Sequence, residues 1–449
     1  MSRSAAVSVV QVPGDLRAAV RSLADGALAA RAYCEWHLAR IRASEPAIKA
    51  WASLDEARAL AIAAARDAER VSGKPPRPLH GVPVGVKDIF DTADLPTEMG
   101  SPAFAGHRPA RNAELVDRIL AAGGYVLGKT ATTEFAFMHP ALTRNPWNPV
   151  HTPGGSSSGS AAAVAAGQVP VAIGTQTNGS VIRPAAFCGV VGFKPSFDAL
   201  PIAGALAFSE TLDQVGVFAR SVSDAAYFAA CLAEPGVVPA NVAAFSRPPT
   251  IGVLSRFPWN SADPDAAAHF RKTLDVVAGA GTVLKPVALP EAFDDAHLVL
   301  RTIMFYQGAR QHASRQALHR RAMSAPLNAA IDEGLALSHE QYRNALARRA
   351  ALAELALNLF EECDAIASLP APGTAPARLD ATGDPSFCTL WSLVGFPALT
   401  LPTGISQAGL PYGMQLAARS LSDNQLLSVA RWCEAAIGFD RIGFDRIAG

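Results

Sequence analysis

The chain has 449 residues, 50% of them hydrophobic and 17% charged, enough apolar material for a large buried core. Its 39 basic and 39 acidic residues cancel, which removes an electrostatic case for nucleic acid or an anionic membrane as partner. Six scattered cysteines without a CxxC pair, no apolar run near the roughly 18–20 residues of a membrane span, and an N-terminus without a signal-type apolar region predict a soluble cytoplasmic globular protein with reduced thiols.

Residues 20–70 are Ala-rich, with apolar positions such as Leu23, Ala27 and Ala30 at helical spacing, and a Lys/Pro-rich break at 74–78 ends them. A short apolar strand runs from Val82 to Val86 and closes on Lys87 and Asp88. A helix capped by Asn112 is expected over 112–122, followed by a strand at Tyr125–Leu127. The Gly/Ser-rich stretch HTPGGSSSGS (151–160) leads into an Ala-rich helix, a strand at 169–173, and the segment TQTNGS (175–180). Strand and helix alternate to about residue 255, which argues α/β architecture. Residues 260–362 read as mostly helical without a legible motif. Strands return near 365–368, 398–401 and 412–417, and an amphipathic helix starts near Ser422. The tail repeats GFDRI at 438–442 and 443–447, two copies without a functional reading. No linker splits the chain, so one domain over 1–449 is expected, with an N-terminal helical segment at about 15–72.

Three motifs compete for the chemistry. GGYVLGKT (123–130) satisfies the P-loop pattern, but a helix precedes Gly123 and a strand lies between the glycines, the reverse of what phosphate binding needs. Gly155–Gly159 fits G-x-S-x-G, yet three prolines at 146, 149 and 153 precede it where a nucleophile elbow requires a strand. A capping turn before a helix is its plain structural alternative. The third reading joins distant pieces. Lys87 ends an apolar strand, where burial favours a neutral amine that can act as a base, or where it simply pairs with Asp88. Ser180 follows Thr177, Asn178 and Gly179 at a strand-to-helix turn that exposes several backbone N–H groups, or it is an N-cap serine. A serine nucleophile needs a base, and His80, His107, His139 and His151 sit in no catalytic context.

With these pieces in hand, the sequence resembles the amidase signature family. The resemblance rests on GVPVGVKD (81–88), PGGSSSGSAAAVAAG (153–167), GSVIRPAAFCG (179–189), GFKPS (192–196) and LDQVGVFAR (212–220), in the family's order and spacing. It spans a signature core of about 75–225 and returns at GFPALTLP (395–402) and GLPYGMQL (409–416), leaving 260–362 as a variable helical region. It implies a single-domain α/β/α sandwich around a large twisted mixed β-sheet. It also implies a Ser-Ser-Lys triad of Ser180 as nucleophile, Ser156 as bridging serine on a cis peptide bond, and Lys87 as base, with backbone N–H groups of Thr177, Asn178, Gly179 and Ser180 as oxyanion hole. Many members carry Asp-Thr-Gly-Gly-Ser where this chain has Gln176-Thr-Asn-Gly-Ser180, so Gln176 is expected either near the substrate or orienting the loop by hydrogen bonds. Arg183 is either a carboxylate binder or a structural arginine, and Phe135, Met138 and Trp391 are candidate pocket residues with core packing as the alternative.

The expected function is hydrolysis of a linear amide by an acyl-enzyme route that needs no metal or cofactor, with a small-molecule amide as partner and a homodimer as default assembly. The nearest rival is the glutaminase component of a tRNA-dependent amidotransferase, for whose glutamine-recognition stretch residues 290–330 offer no visible counterpart. A nucleotide-binding protein using Gly123–Thr130 and a catalytically silent relative are the others.

Overall fold

The computed structural model describes residues 12–243, 245 and 247–439. Eleven strands form one mixed sheet: β1 (Trp51–Leu54), β2 (Pro83–Lys87), β3 (Tyr125–Thr130), β4 (Val171–Gln176), β5 (Val191–Lys194), β6 (Gln214–Ala219), β7 (Thr250–Leu254), β8 (Val283–Val287), β9 (Ala365–Ser368), β10 (Ala398–Ile405) and β11 (Pro411–Ala417). Their order is β1-β3-β2-β4-β6-β5-β10-β11-β9-β7-β8. β3, β2 and β4 run parallel to one another, as do β9, β7 and β8, and the strands between are antiparallel.

Every residue of β2, β3 and β4 is buried. Successive side chains of a strand point to opposite faces, so both faces there are covered by helices, giving the α/β/α layering. Thirteen α-helices accompany the sheet among the described residues. The N-terminal ones, Leu16–Asp25, Ala30–Ile48 and Glu56–Val71, occupy the expected stretch, but β1 interrupts it between the second and third. The expected Asn112 cap falls one residue early: the helix runs Glu114–Ala121 behind Ala113, and Asn112 instead accepts from Ala93 N–H and donates to Asp117. The region 260–362 is helical apart from β8.

Because β2 and β4 are parallel neighbours, Lys87 at the end of one and Gln176 at the end of the other emerge at the same edge of the sheet, where open α/β sheets place their sites. Among the described residues no helix is long and apolar enough to cross a membrane. The first residues of the chain and most of the GFDRI repeat lie outside the described residues.

Candidate active site

Lys87 is fully buried, and its Nζ donates to Ser156 Oγ at 2.7 Å and to Thr175 Oγ1 at 2.8 Å. Burial pushes its pKa down to about 7, with the nearby Asp213 carboxylate acting in the opposite direction. The pairing of Lys87 with Asp88 is not made. Asp88 lies 3.1 Å from Lys129 Nζ, which also donates to Thr97 Oγ1 at 2.6 Å. This fixes the P-loop look-alike as structure: Gly128 and Lys129 are paired on both sides of β3, and the lysine is committed inside the core.

The serine-rich segment supplies Ser156 through a cis Gly155–Ser156 peptide. Its neighbours hold the segment down: Ser158 Oγ donates to Gly154 O at 2.7 Å and Ser160 Oγ to Ile173 O at 2.9 Å. Gly159 opens the Ser158–Ala165 helix where no side chain fits, since a Cβ there would stand 2.1 Å from Ala50 O.

Ser180 sits half-buried in the turn between β4 and the helix Ile182–Cys188. Gln176 shapes that turn: its Oε1 accepts from Val181 and Ile182 N–H at 2.8 and 3.0 Å. Among the described residues no hydrogen bond uses the N–H of Thr177, Asn178, Gly179 or Ser180, so these donors stay available. Asp213, buried at the head of β6, accepts from Thr177 Oγ1 at 2.5 Å and from Phe208 and Ser209 N–H at 2.7 and 2.9 Å. Burial raises its carboxyl above the ordinary range while these bonds and Lys87 pull it back. Arg183 is held by three neighbours. Its guanidinium donates to Gly383 O, Gly155 O and Thr382 Oγ1 at 3.0, 2.7 and 3.1 Å, and burial pushes its pKa down to about 10. The bond to Gly155 ties the Ser180 helix to the peptide that carries Ser156.

Thr177, Asn178, Gly179, Ser180 and Arg183 line a cavity of about 250 Å³ whose far wall is apolar, with Phe137, Phe208, Leu300, Met304 and Phe305. Phe137 stacks on Phe208 at 4.8 Å. Met138, 57% exposed, stands at this cavity. Phe135, Trp391 and Gln176 do not line it. Phe135 turns inward against Phe104 and His312, Trp391 packs on Phe360, and Gln176 is buried under the turn. Phe137, two residues after Phe135, holds the position that an alternating reading of that loop could have found. Thr175, Asp213 and Ser392 are further site residues that the sequence did not single out. Among the described residues, no group of three or more His, Cys, Asp and Glu side chains is arranged to hold a metal ion.

The model of a family described as Amidase matches residues 32–427. The A subunit of the glutamyl-tRNA(Gln) amidotransferase of Chloroflexus aggregans is 34% identical, over 92% of this chain and 94% of its own. A crystal structure of an amidase superposes with a TM-score of 0.87 at 32% identity, covering 94% of this chain and 99% of that one. The native peptide amidase from Stenotrophomonas maltophilia does so at 0.80 and 29%, over 94% and 96%.

Proposed function

Because the chain belongs to the amidase family, we propose that it hydrolyses the C–N bond of a carboxylic amide through an acyl-enzyme on Ser180, releasing ammonia or an amine. The observation that carries this reading is the 2.7 Å contact of Lys87 Nζ with Ser156 Oγ at the sheet edge that also presents Ser180. A neutral Lys87 gives one N–H to Thr175 and turns its lone pair to Ser156. Ser180 Oγ attacks the amide carbon as its proton passes to Ser156 and the Ser156 proton to Lys87. The tetrahedral oxyanion is met by the free N–H groups of the 177–180 turn. The C–N bond then breaks, the relay returns a proton to the leaving nitrogen, and water cleaves the ester by the same steps.

A second reading is the glutaminase component of a tRNA-dependent amidotransferase, and the Chloroflexus relative supports it more directly than it supports a free-standing amidase. The cavity supports the free-standing enzyme: its wall of Phe137, Phe208, Leu300, Met304 and Phe305 meets an apolar acyl group better than the ammonium and carboxylate of free glutamine. The two charged residues on that wall besides Arg183 have partners: Arg301 pairs with Glu333 at 2.6 Å, and Asp384 accepts from Asn260 and Ser386.

Ammonia release from a panel of primary amides that includes glutamine, by wild type and Ser180→Ala, tests both. Turnover of apolar amides that vanishes in the variant supports the amidase. Turnover confined to glutamine, or appearing only with added partner proteins of such a complex, selects the second reading. Substantial turnover by a folded Ser180→Ala protein overturns both.

A further inference from the structure

The short helix Thr389–Val394 comes late in the chain and lays two hydroxyls, one helical turn apart, against the turn before the nucleophile. Thr389 Oγ1 donates to Asn178 Oδ1 at 3.0 Å, and Ser392 Oγ donates to the main-chain carbonyl of Asn178. Gln176 Nε2 donates in turn to Ser392 Oγ at 2.9 Å. The bonds therefore run in one direction, from the Gln176 amide through the Ser392 hydroxyl to the Asn178 carbonyl. Lys194 braces the helix from behind: its Nζ donates to Gln214 Oε1 at 2.6 Å, and Gln214 Nε2 donates to Ser392 O at 3.4 Å. Gln176, Ser392 and Lys194 are all buried.

A trans peptide unit is planar, with its carbonyl and the following N–H on opposite sides. Anchoring the Asn178 carbonyl on Ser392 thus directs the Gly179 N–H away from that helix. Gly179 is closely packed on its other side, where a Cβ would stand 3.0 Å from Pro385 and 3.3 Å from Cys388. Bonds in series polarise one another, so a carbonyl that accepts from a hydroxyl which itself accepts leaves its N–H a stronger donor. We propose that Gln176 and Ser392 act as a positioning relay that aims and polarises the Gly179 N–H for the oxyanion of the tetrahedral intermediate, an inference that rests on the amidase reading above. Glutamine is the side chain this relay needs. Its amide offers a donor to Ser392 and an acceptor to Val181 and Ile182 together. A carboxylate at 176 draws the Ser392 proton to itself and takes the hydroxyl away from Asn178.

The test is steady-state kinetics of full-length Ser392→Ala, Gln176→Glu and Ser392→Thr on the best primary amide of the panel, with binding of a boronic acid that mimics the tetrahedral state. In Ser392→Ala and Gln176→Glu, kcat is expected to fall about 10- to 100-fold with KM within about twofold, and boronate affinity to fall in step. Ser392→Thr, which keeps the hydroxyl, is expected to recover most of kcat. Wild-type kcat in either folded loss variant, or a loss of kcat that Ser392→Thr does not recover, overturns the relay. Failure of the amidase reading is seen separately, as turnover by Ser180→Ala.

Discussion

Lys87 and Asp88 are adjacent in the chain, yet their side chains serve different partners: Lys87 donates to Ser156 and Thr175, while Asp88 faces the ammonium of Lys129 at 3.1 Å. Lys87 is thereby kept free of a contacting carboxylate, and burial has the largest influence on its protonation. Asp213 is the charged group that acts on it, from the head of β6.

A pH profile follows from this. Lys87 must be neutral to accept a proton, so kcat/KM for an uncharged amide is expected to rise about tenfold per pH unit up to about 7 and then level off. Asp213 raises the Lys87 pKa, so Asp213→Asn is expected to move the midpoint to lower pH. A profile that is flat through neutrality would remove Lys87 as the base. The same depression affects stability: the unfolded lysine, with its ordinary value of 10.5, takes up its proton first. This group's contribution to stability is therefore expected to fall as pH drops from about 10.5 towards 7 and to change little below.

Lys129→Met is expected to destabilise the fold by about 3–5 kcal/mol, because it leaves Asp88 buried without its counter-charge. Denaturant midpoints measure this. Calorimetry with ATP is expected to show no binding by the wild type, since Lys129 is held inside the core by Asp88 and Thr97. A stable Lys129→Met protein would show that the pair carries no weight.

Arg183→Ala is expected to lower stability and turnover on every substrate alike, because it removes three hydrogen bonds that join the 155, 183 and 382–383 segments. Measured with matched amides, with and without a remote carboxylate, the loss should be the same for both. A selective rise in KM for the carboxylate series would make Arg183 a substrate anchor instead.

Phe137→Ala opens the apolar wall where it stacks on Phe208. Its kcat/KM is expected to fall about tenfold for an arylalkyl amide and to stay near wild type for acetamide. An equal fall for both would place the acyl group elsewhere.

How much of this was legible in the sequence follows the range of the interactions. Ser156 and Ser180 sit in dense Gly/Ser stretches and Lys87 at the end of an apolar strand, so their surroundings are written nearby. Thr175 stands beyond the strand expected at 169–173, in a β4 that runs on to Gln176, and only the fold brings its hydroxyl to Lys87. Ser392, a serine in the apolar helix TLWSLV, carried a usable signal, because a buried hydroxyl needs a partner. Which partner is a matter of tertiary structure. For Trp391 and Phe135 the sequence leaves pocket and core both open, because aromatic identity does not tell which face of an element meets a cavity, and both are buried in the core. β1, four residues between two Ala-rich helices, is too short for its period to show.

The sheet order has a consequence for how the enzyme is made. β10 lies between β5 and β11 and bridges the strands nearest Lys87 and Ser180 to the far side of the sheet, and the helix that bonds to Asn178 immediately precedes it. Lys87, Ser156 and Ser180 therefore leave the ribosome long before the segments that organise them. On the proposed amidase reading, a nascent chain gains hydrolytic power only once the helix Thr389–Val394 and β10 have followed.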